Sequence, residues 1–182
     1  MFQIRIHGRG GQGVVTAAEL LSVAAFLDGA HAQAFPSFGS ERTGAPVVAF
    51  CRIDERPVRV REPIVAPDAL IVQDPTLLHQ VDVFSGLRPG GLVLLNSTRT
   101  PEELGLAELR VICVPATGLA REHLGKPLPN AALLGAFAAV TGVVTLDSVA
   151  TAIRERFATA PAEANVRAAQ AAFALAKEPS HA

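Results

Sequence analysis

The feature that most constrains this chain is a strand that runs into a glycine-rich turn and then into a helix. The alternating segment Phe2-Gln3-Ile4-Arg5-Ile6-His7 predicts the strand, and glycines follow at positions 8, 10, 11 and 13. The apolar run from Val14 predicts a helix that continues to about Leu27. Glycines permit positive φ and close backbone approach, and the free N–H groups at a helix start point back at the turn. The segment therefore predicts an α/β fold with an anion-binding turn.

The glycine spacing matches the dinucleotide fingerprint G-x-G-x-x-G through Gly8, Gly10 and Gly13. For NAD, an acidic residue should end the second strand about twenty residues further on. The predicted second strand, residues 30–35, lacks one, and Asp28 lies in the turn that ends the first helix. The sequence therefore argues against NAD but not against a phosphate. The alternative is that the glycines only let the helix pack closely on the sheet.

Composition narrows the class of protein. The length of 182 residues predicts one domain over residues 1–182, with a frayed tail at 178–182. The formal net charge is −1 and the basic residues are scattered, so we expect neither nucleic acid nor membrane as a partner. The longest apolar stretch, residues 131–144, is too short to span a bilayer. Cys51 and Cys113 each lie in an apolar strand-like run, which predicts buried, reduced thiols. Reduced thiols fit a cytoplasmic protein, and because the first residues already form a strand we expect no signal peptide before the fold.

The order of elements predicts a three-layer, Rossmann-like α/β fold with a mixed, mostly parallel sheet and helices on both faces. Residues 47–53 and 58–60 flank a turn and predict a hairpin. Unbroken apolar runs predict buried parallel strands at 69–73 and 92–95, and a further strand is expected at 110–114. We predict that Asn130 and Thr145 cap two of the later helices. Helices after the first are expected at residues 76–84, 117–123, 147–157 and 162–177, and an alanine-rich helix is expected after Asn130.

Two further segments are candidates for function. The segment 35–46 combines two prolines, two glycines and two phenylalanines, which predicts a long loop near the glycine turn. It is interpreted as an interface, the alternative being an ordered surface loop with its phenylalanines tucked beneath it. Asn96 and Ser97 follow a buried parallel strand, at the end where such folds bind ligands. The expected interface residues are Phe35, Pro36, Ser37, Phe38, Gly39, Glu41, Arg42 and Thr43.

Taken together, the motifs resemble the gamma subunit of thiamine-dependent 2-oxoacid:acceptor oxidoreductases of the pyruvate synthase type. The resemblance covers most of the chain, and several motifs occur in the right order with the right strands between them. They are residues 8–16 (Gly-Arg-Gly-Gly-Gln-Gly-Val-Val-Thr), residues 35–46, Pro67-Asp68, Leu95-Asn96-Ser97, residues 130–136 and Ala164-Asn165.

The resemblance implies a subunit of a complex that releases carbon dioxide from a 2-oxoacid on thiamine diphosphate and passes the acyl group to coenzyme A. Thiamine diphosphate, Mg and [4Fe–4S] clusters are expected in partner chains of alpha, beta and delta type, because this chain lacks the cysteine sets and the Gly-Asp-Gly motif that hold them. The electron acceptor would be ferredoxin or a flavin subunit that uses NAD. The 2-oxoacid stays open among pyruvate, 2-oxoisovalerate, indolepyruvate and phenylglyoxylate.

In this family the gamma portion packs over the thiamine-bearing chains and helps to form the coenzyme A site. We therefore expect coenzyme A at the turn, with no catalytic residue and no metal ligand in this chain. Two other interpretations stay open: a stand-alone module that binds an adenine nucleotide, and a purely structural subunit. The expected coenzyme A residues are Gly8, Arg9, Gly10, Gly11, Gln12, Gly13, Val14, Thr16, Asn96 and Ser97.

Overall fold

The computed structural model describes residues 1–37 and 42–178, which form six strands, five α-helices and one 3-10 helix. The strands are β1 (Phe2–Arg9), β2 (His31–Pro36), β3 (Pro46–Asp54), β4 (Ala69–Val72), β5 (Leu92–Asn96) and β6 (Arg110–Val114). The helices are α1 (Val14–Leu27), the 3-10 helix Pro75–His79, α2 (Ala116–Leu124), α3 (Asn130–Thr141), α4 (Leu146–Arg156) and α5 (Thr159–Ala176).

The six strands form one mixed sheet in the order β2-β3-β1-β4-β5-β6. Strands β1, β4, β5 and β6 run parallel, while β3 is antiparallel to both β1 and β2. The α/β class and the mixed, mostly parallel sheet predicted from the sequence are confirmed. The predicted hairpin between residues 47–53 and 58–60 is wrong. Both edges of β3 are already hydrogen-bonded to β1 and β2, so residues 58–60 have no free edge of β3 to pair with.

Five α-helices cover one face of the sheet. Ile4, Ile6 and Ile71 point to this face and belong to the same apolar cluster as residues of all five helices. Within this layer, α3 and α5 come so close that a Cβ on Gly135 would lie 2.0 Å from the carbonyl oxygen of Ala169. Small side chains therefore set the thickness of the helical layer.

The opposite face is covered by the 3-10 helix and by turns, so of the helices predicted on both faces only the 3-10 helix lies on this side among the described residues. Leu70, Val72 and Leu95 point to this side and form a second cluster with Leu77. The helix predicted over residues 76–84 is limited to the 3-10 helix Pro75–His79. The carbonyls of Val83 and Ser85 accept hydrogen bonds from the Arg5 guanidinium, so this segment turns instead of continuing as a helix.

The helix boundaries follow local capping. Helix α1 spans the predicted range, and the Thr145 hydroxyl accepts the Ser148 N–H as the predicted cap of α4. Asn130 is not the cap of α3, because Pro129 holds that position and the Asn130 Oδ1 accepts from the next N–H along the chain. Among the described helices, none has the length and hydropathy that crossing a membrane requires.

Candidate functional site

The glycine-rich turn joins the end of β1 to the start of α1. Gly11 has φ +90° and Gly13 has φ +72°, so both need the left-handed backbone that glycine adopts freely. The first helical hydrogen bond runs from the Ala17 N–H to the Gly13 carbonyl, at 2.9 Å. In the described part of the chain no acceptor meets the N–H groups of Val14, Val15 and Thr16. These three donors lie at the positive end of a 14-residue helix, an arrangement that binds anions.

The four glycines of the turn have different surroundings. A Cβ on Gly8 would lie 2.5 Å from Val14 Cγ2, one on Gly10 would lie 2.2 Å from the Arg42 carbonyl oxygen, and one on Gly13 would lie 2.6 Å from Asn130 Nδ2. Three of the glycines therefore permit close packing within the protein. Gly11 is exposed, and a Cβ there would meet nothing within 4 Å among the described residues. The open side of the turn is at Gly11.

The turn lies at the carboxyl ends of the adjacent parallel strands β1 and β4, a position termed the crevice. From β1 the chain continues into α1 on the helical face, whereas from β4 it continues into the 3-10 helix on the other face. The connections that leave these two adjacent parallel strands thus diverge. Such a switch point, at the carboxyl ends of the strands, is where open α/β sheets bind ligands.

Two side chains of the turn, Arg9 and Gln12, donate hydrogen bonds to Asp74, which follows β4. The Asp74 Oδ2 accepts from Arg9 Nε at 3.1 Å and from Gln12 Nε2 at 2.9 Å, and Gln12 Oε1 accepts the Arg9 backbone N–H at 2.7 Å. Burial acts to raise the pKa of Asp74, but hydrogen bonds from Thr76 and Gln12 and the Arg9 charge lower it overall. Arg9 also donates to Gly44, Thr76 and Gln80. Most of its donors are therefore occupied inside the protein.

The segment that follows β2 touches the turn directly. The Gly10 N–H donates to the Ala45 carbonyl at 2.9 Å, the Gly44 N–H donates to the Gly10 carbonyl at 3.1 Å, and Thr43 forms an isolated bridge with Gly10. Arg42 and Thr43 are exposed. The two segments singled out by the sequence thus form one structural unit. Of the expected interface residues, Phe38, Gly39 and Glu41 lie outside the described residues.

The start of this segment lies on the sheet. Phe35 contacts Phe50 with ring centroids 5.1 Å apart, and the Arg52 guanidinium lies 5.6 Å from the Phe35 centroid. The Ser37 N–H donates to Val48, and Pro36 is exposed at the end of β2. Phe35 is therefore partly covered by its own sheet, while Pro36 is open to solvent.

Asn96 and Ser97 lie at the end of β5. The Asn96 amide donates to the Gln73 carbonyl and to Thr117 Oγ1, both at 2.8 Å, and its oxygen accepts the Thr117 N–H. Ser97 lines a groove of about 970 Å³ beside β6 and accepts from the Arg99 N–H. The Asn96 side chain joins β4, β5 and α2, and the structure does not bring Ser97 to the turn.

The structure adds residues that the sequence interpretation did not assign to the site. They are Gln73 and Asp74, which follow β4, and Asn130, whose amide lies against Gly13. The signal that could have found the first two is the change from an unbroken apolar strand to polar residues, the same signal that singled out Asn96. Asn130 was predicted to cap a helix, and nothing in the sequence places it beside the turn.

Other reactive groups are held away from this crevice. Burial raises the pKa of the Cys51 thiol to about 12 and that of Cys113 to about 11. Asp28 accepts from the Thr145 N–H and from the Ser148 hydroxyl, so it anchors α4 and does not end a nucleotide-binding strand. Within residues 1–37 and 42–178, no three His, Cys, Asp or Glu side chains are grouped so that they could hold a metal ion.

A family model, curated relatives and a solved structure all relate this chain to pyruvate oxidoreductases. Residues 3–175 match the model of the pyruvate ferredoxin/flavodoxin oxidoreductase family. The chain is 51% identical over 178 residues to the pyruvate/ketoisovalerate oxidoreductases common subunit gamma of Thermococcus kodakarensis, covering 95% of this chain and 96% of that one. It is 55% identical over 155 residues to the pyruvate synthase subunit PorC of Methanosarcina barkeri, covering 85% of each. The crystal structure of the pyruvate oxidoreductase subunit PORC from Thermotoga maritima aligns with a TM-score of 0.83 and 35% identity, over 95% of both chains.

Proposed function

The chain belongs to the pyruvate ferredoxin/flavodoxin oxidoreductase family, and from this membership we propose that it is the gamma-type subunit of a complex that converts a 2-oxoacid to an acyl-coenzyme A. The near-complete overlap with the gamma and PorC subunits supports this role. We further propose that the turn after β1 binds the phosphates of coenzyme A. The observation that carries this proposal is the set of three N–H groups at the start of α1 beside the open Gly11.

The crevice favours a phosphate ligand that is not NAD. In a NAD site, the acid that binds the ribose hydroxyls ends a second parallel strand beside the first, whereas here the antiparallel β3 lies between β1 and β2. Asp28, the nearest acid by spacing, is held by Thr145 and Ser148. An anion at the start of α1 needs no such acid, because backbone N–H groups recognise the phosphate itself. The phosphates of coenzyme A suit this arrangement.

The remaining chemistry is assigned to partner chains. Thiamine diphosphate supplies the carbanion chemistry when it is bound, and iron–sulfur clusters carry the electrons. The two cysteines of this chain are too few for a [4Fe–4S] cluster, which needs four thiolates. We propose that alpha, beta and delta type subunits hold thiamine diphosphate, Mg and the clusters, and that ferredoxin or a flavin subunit accepts the electrons. The segment 35–43 would contact those subunits through exposed positions such as Pro36 and Arg42.

The test is Gly11→Val in the assembled complex. A β-branched residue at φ +90° strains the turn at its open side, where the ligand is proposed to bind. Loss of charge-assisted contacts to phosphate should raise the KM for coenzyme A roughly tenfold to a hundredfold. Release of carbon dioxide in the first turnover should not change, because the 2-oxoacid and thiamine meet on other subunits.

The matched control is Gly105→Val. Gly105 also has positive φ, +71°, and a Cβ there would meet nothing within 4 Å among the described residues, but it lies in the segment between β5 and β6. The control should therefore carry the same kind of backbone strain without affecting coenzyme A. If the KM for coenzyme A is the same in Gly11→Val as in the control, the turn does not bind coenzyme A and has only a structural role. The close packing of Gly8, Gly10 and Gly13 would then account for the glycines of the turn.

A further inference from the structure

Gln73 directly follows β4 and lies buried next to the glycine-rich turn. Its side chain is 1% exposed, and neither Nε2 nor Oε1 has a hydrogen-bond partner among the described residues. The backbone of Gln73 is fixed, since its N–H donates to the His7 carbonyl and its carbonyl accepts from Asn96 Nδ2, both at 2.8 Å. A rigid backbone thus holds an unpaired carboxamide between β1 and β5.

The carboxamide points to the underside of the glycine-rich turn. Its Oε1 lies 3.0 Å from where a Cβ on Gly8 would stand, and Gln12 Oε1 and Val14 Cγ2 lie 3.2 and 2.5 Å from the same point. Gln73 therefore meets both the turn and the first residue of α1. This is the crevice proposed above for the ligand.

Leaving both ends of a buried carboxamide unpaired is destabilising, and buried polar groups in native proteins nearly always have partners. An apolar side chain of the same shape would avoid that cost. The missing partner must both accept from Nε2 and donate to Oε1. Phosphate oxygens only accept at neutral pH, whereas a secondary amide does both.

We infer that Gln73 is a further ligand-binding residue, whose carboxamide pairs with an amide of the pantetheine arm of coenzyme A; this rests on the proposed function. The turn would then hold the phosphates while Gln73 holds an uncharged part of the same molecule. Because Gln73 is buried, the ligand reaches it when a neighbouring side chain moves. Gln12 is the half-exposed neighbour, since Gly8 and Val14 are buried.

The experiment compares Gln73→Met with Gln33→Met in the assembled complex. Gln33 is the matched control because its Oε1 is also buried and unpaired among the described residues, but it lies on β2, away from the crevice. Gln73→Met should raise the KM for coenzyme A roughly tenfold through the lost amide pairing. It should leave unchanged the inhibition constant of adenosine 3′,5′-bisphosphate, which has phosphates but no pantetheine arm. Gln33→Met should change neither quantity.

The two proposals fail in different ways. If Gly11→Val raises the KM for coenzyme A and the inhibition constant of the bisphosphate while Gln73→Met changes neither, the Gln73 inference is overturned and the phosphate site stands. If neither variant affects coenzyme A, both are overturned. An equal rise of both constants in Gln73→Met shows that Gln73 only shapes the turn, which also overturns the inference. If the complex that carries Gln73→Met does not assemble, Gln73→Asn replaces it. The shorter amide of asparagine should raise the KM for coenzyme A, and an unchanged KM contradicts the pairing.

Discussion

The two faces of the sheet are stabilised in different ways. On the helical face, the strands present aliphatic side chains, and the layer above them contains many small residues, with Gly135 of α3 against the backbone of Ala169 in α5. On the opposite face, β1 and β3 present Arg5, His7 and Arg52, which are 8%, 6% and 3% exposed. The helical face therefore depends on shape, whereas the part of the opposite face under β1 and β3 depends on hydrogen bonds that buried cations donate.

The hydrogen bonds that the buried cations of the second face donate go to neutral groups, and the buried Nη1 of Arg52 has no partner among the described residues. Arg5 donates to the carbonyls of Val83 and Ser85 and to His7 Nε2, the last at 2.9 Å. Arg52 donates to Gln3 Oε1 and to the Glu62 carbonyl. In the part of the chain that the structure describes, neither arginine has a carboxylate oxygen within 4 Å. We therefore expect added side-chain volume to destabilise the helical face, and the removal of a hydrogen-bond donor to destabilise the opposite face.

The largest effect is expected on the helical face, from Gly135→Ala. The added Cβ would lie 2.0 Å from a backbone oxygen of α5, so the two helices must separate. We expect a loss of about 3 kcal/mol or more in the free energy of unfolding, at the upper end of overpacking effects. Urea unfolding of the purified subunit measures it.

Gly118→Ala in α2 is the control for that prediction. A Cβ on Gly118 would meet nothing within 4 Å among the described residues, so alanine should be neutral or stabilise the helix by up to about 1 kcal/mol. Equal unfolding midpoints for the two variants would show that the contact between α3 and α5 is not tight, and would remove the contrast between the faces.

The next effect concerns the opposite face, in Arg5→Met. This change keeps an apolar stem of similar length but leaves the carbonyls of Val83 and Ser85 without their donor. We expect a loss of about 2–3 kcal/mol, because buried acceptors stay unpaired. Arg154→Met, at an exposed ion pair on α4, should leave the urea midpoint unchanged. If Arg5→Met has the same urea midpoint as Arg154→Met, the buried hydrogen bonds of Arg5 do not stabilise this face.

The smallest effect, counted per pH unit, is a pH dependence at His7. Burial, with a further contribution from the Arg5 charge, lowers the pKa of His7 from 6.5 to about 4. Between these values the unfolded chain binds a proton that the folded chain does not, so stability falls as pH falls, by about 1 kcal/mol per pH unit. Above pH 6.5 the imidazole is neutral in both states, so it adds no pH dependence there.

His7→Gln sharpens this prediction, because the glutamine oxygen can still accept from Arg5 Nε while the titrating group is gone. The fall in stability between pH 6.5 and about 4 should become shallower in the variant. Parallel unfolding curves for the variant and the parent across this range would show that His7 charges in the folded protein.

Most of the helical face could be predicted from the sequence. The apolar period of α1 and the Thr145 cap of α4 are local signals, and local signals gave nearly correct boundaries. The hairpin failed because strand pairing is not local. The partners of β3 are β1 and β2, and nothing in residues 54–60 reveals that both edges of β3 are occupied.

The burial of Arg5, His7 and Gln73 was less predictable, because it also depends on strand neighbours that are distant in sequence. The alternation in β1 is typical of a strand with one solvent-facing side, yet β1 lies at the centre of the sheet and Arg5 and His7 are buried. Whether Gln73 is exposed or buried depends on which strands flank β4. The turn itself was recognisable because its glycines are adjacent in sequence, whereas the contacts of Gly13 with Asn130 join residues 117 positions apart.

The central position of β1 also has a consequence for biosynthesis. Strand β1 precedes the other strands in the chain and pairs with β3 and with β4, so the middle of the sheet can form before β5 has been made. The helices that contact β5 and β6 are α3 and α5, and both follow these strands in the chain. Leu94 and Ile112 therefore stay uncovered on the nascent chain until α3 and α5 have been made, which leaves this half of the sheet exposed to aggregation during translation.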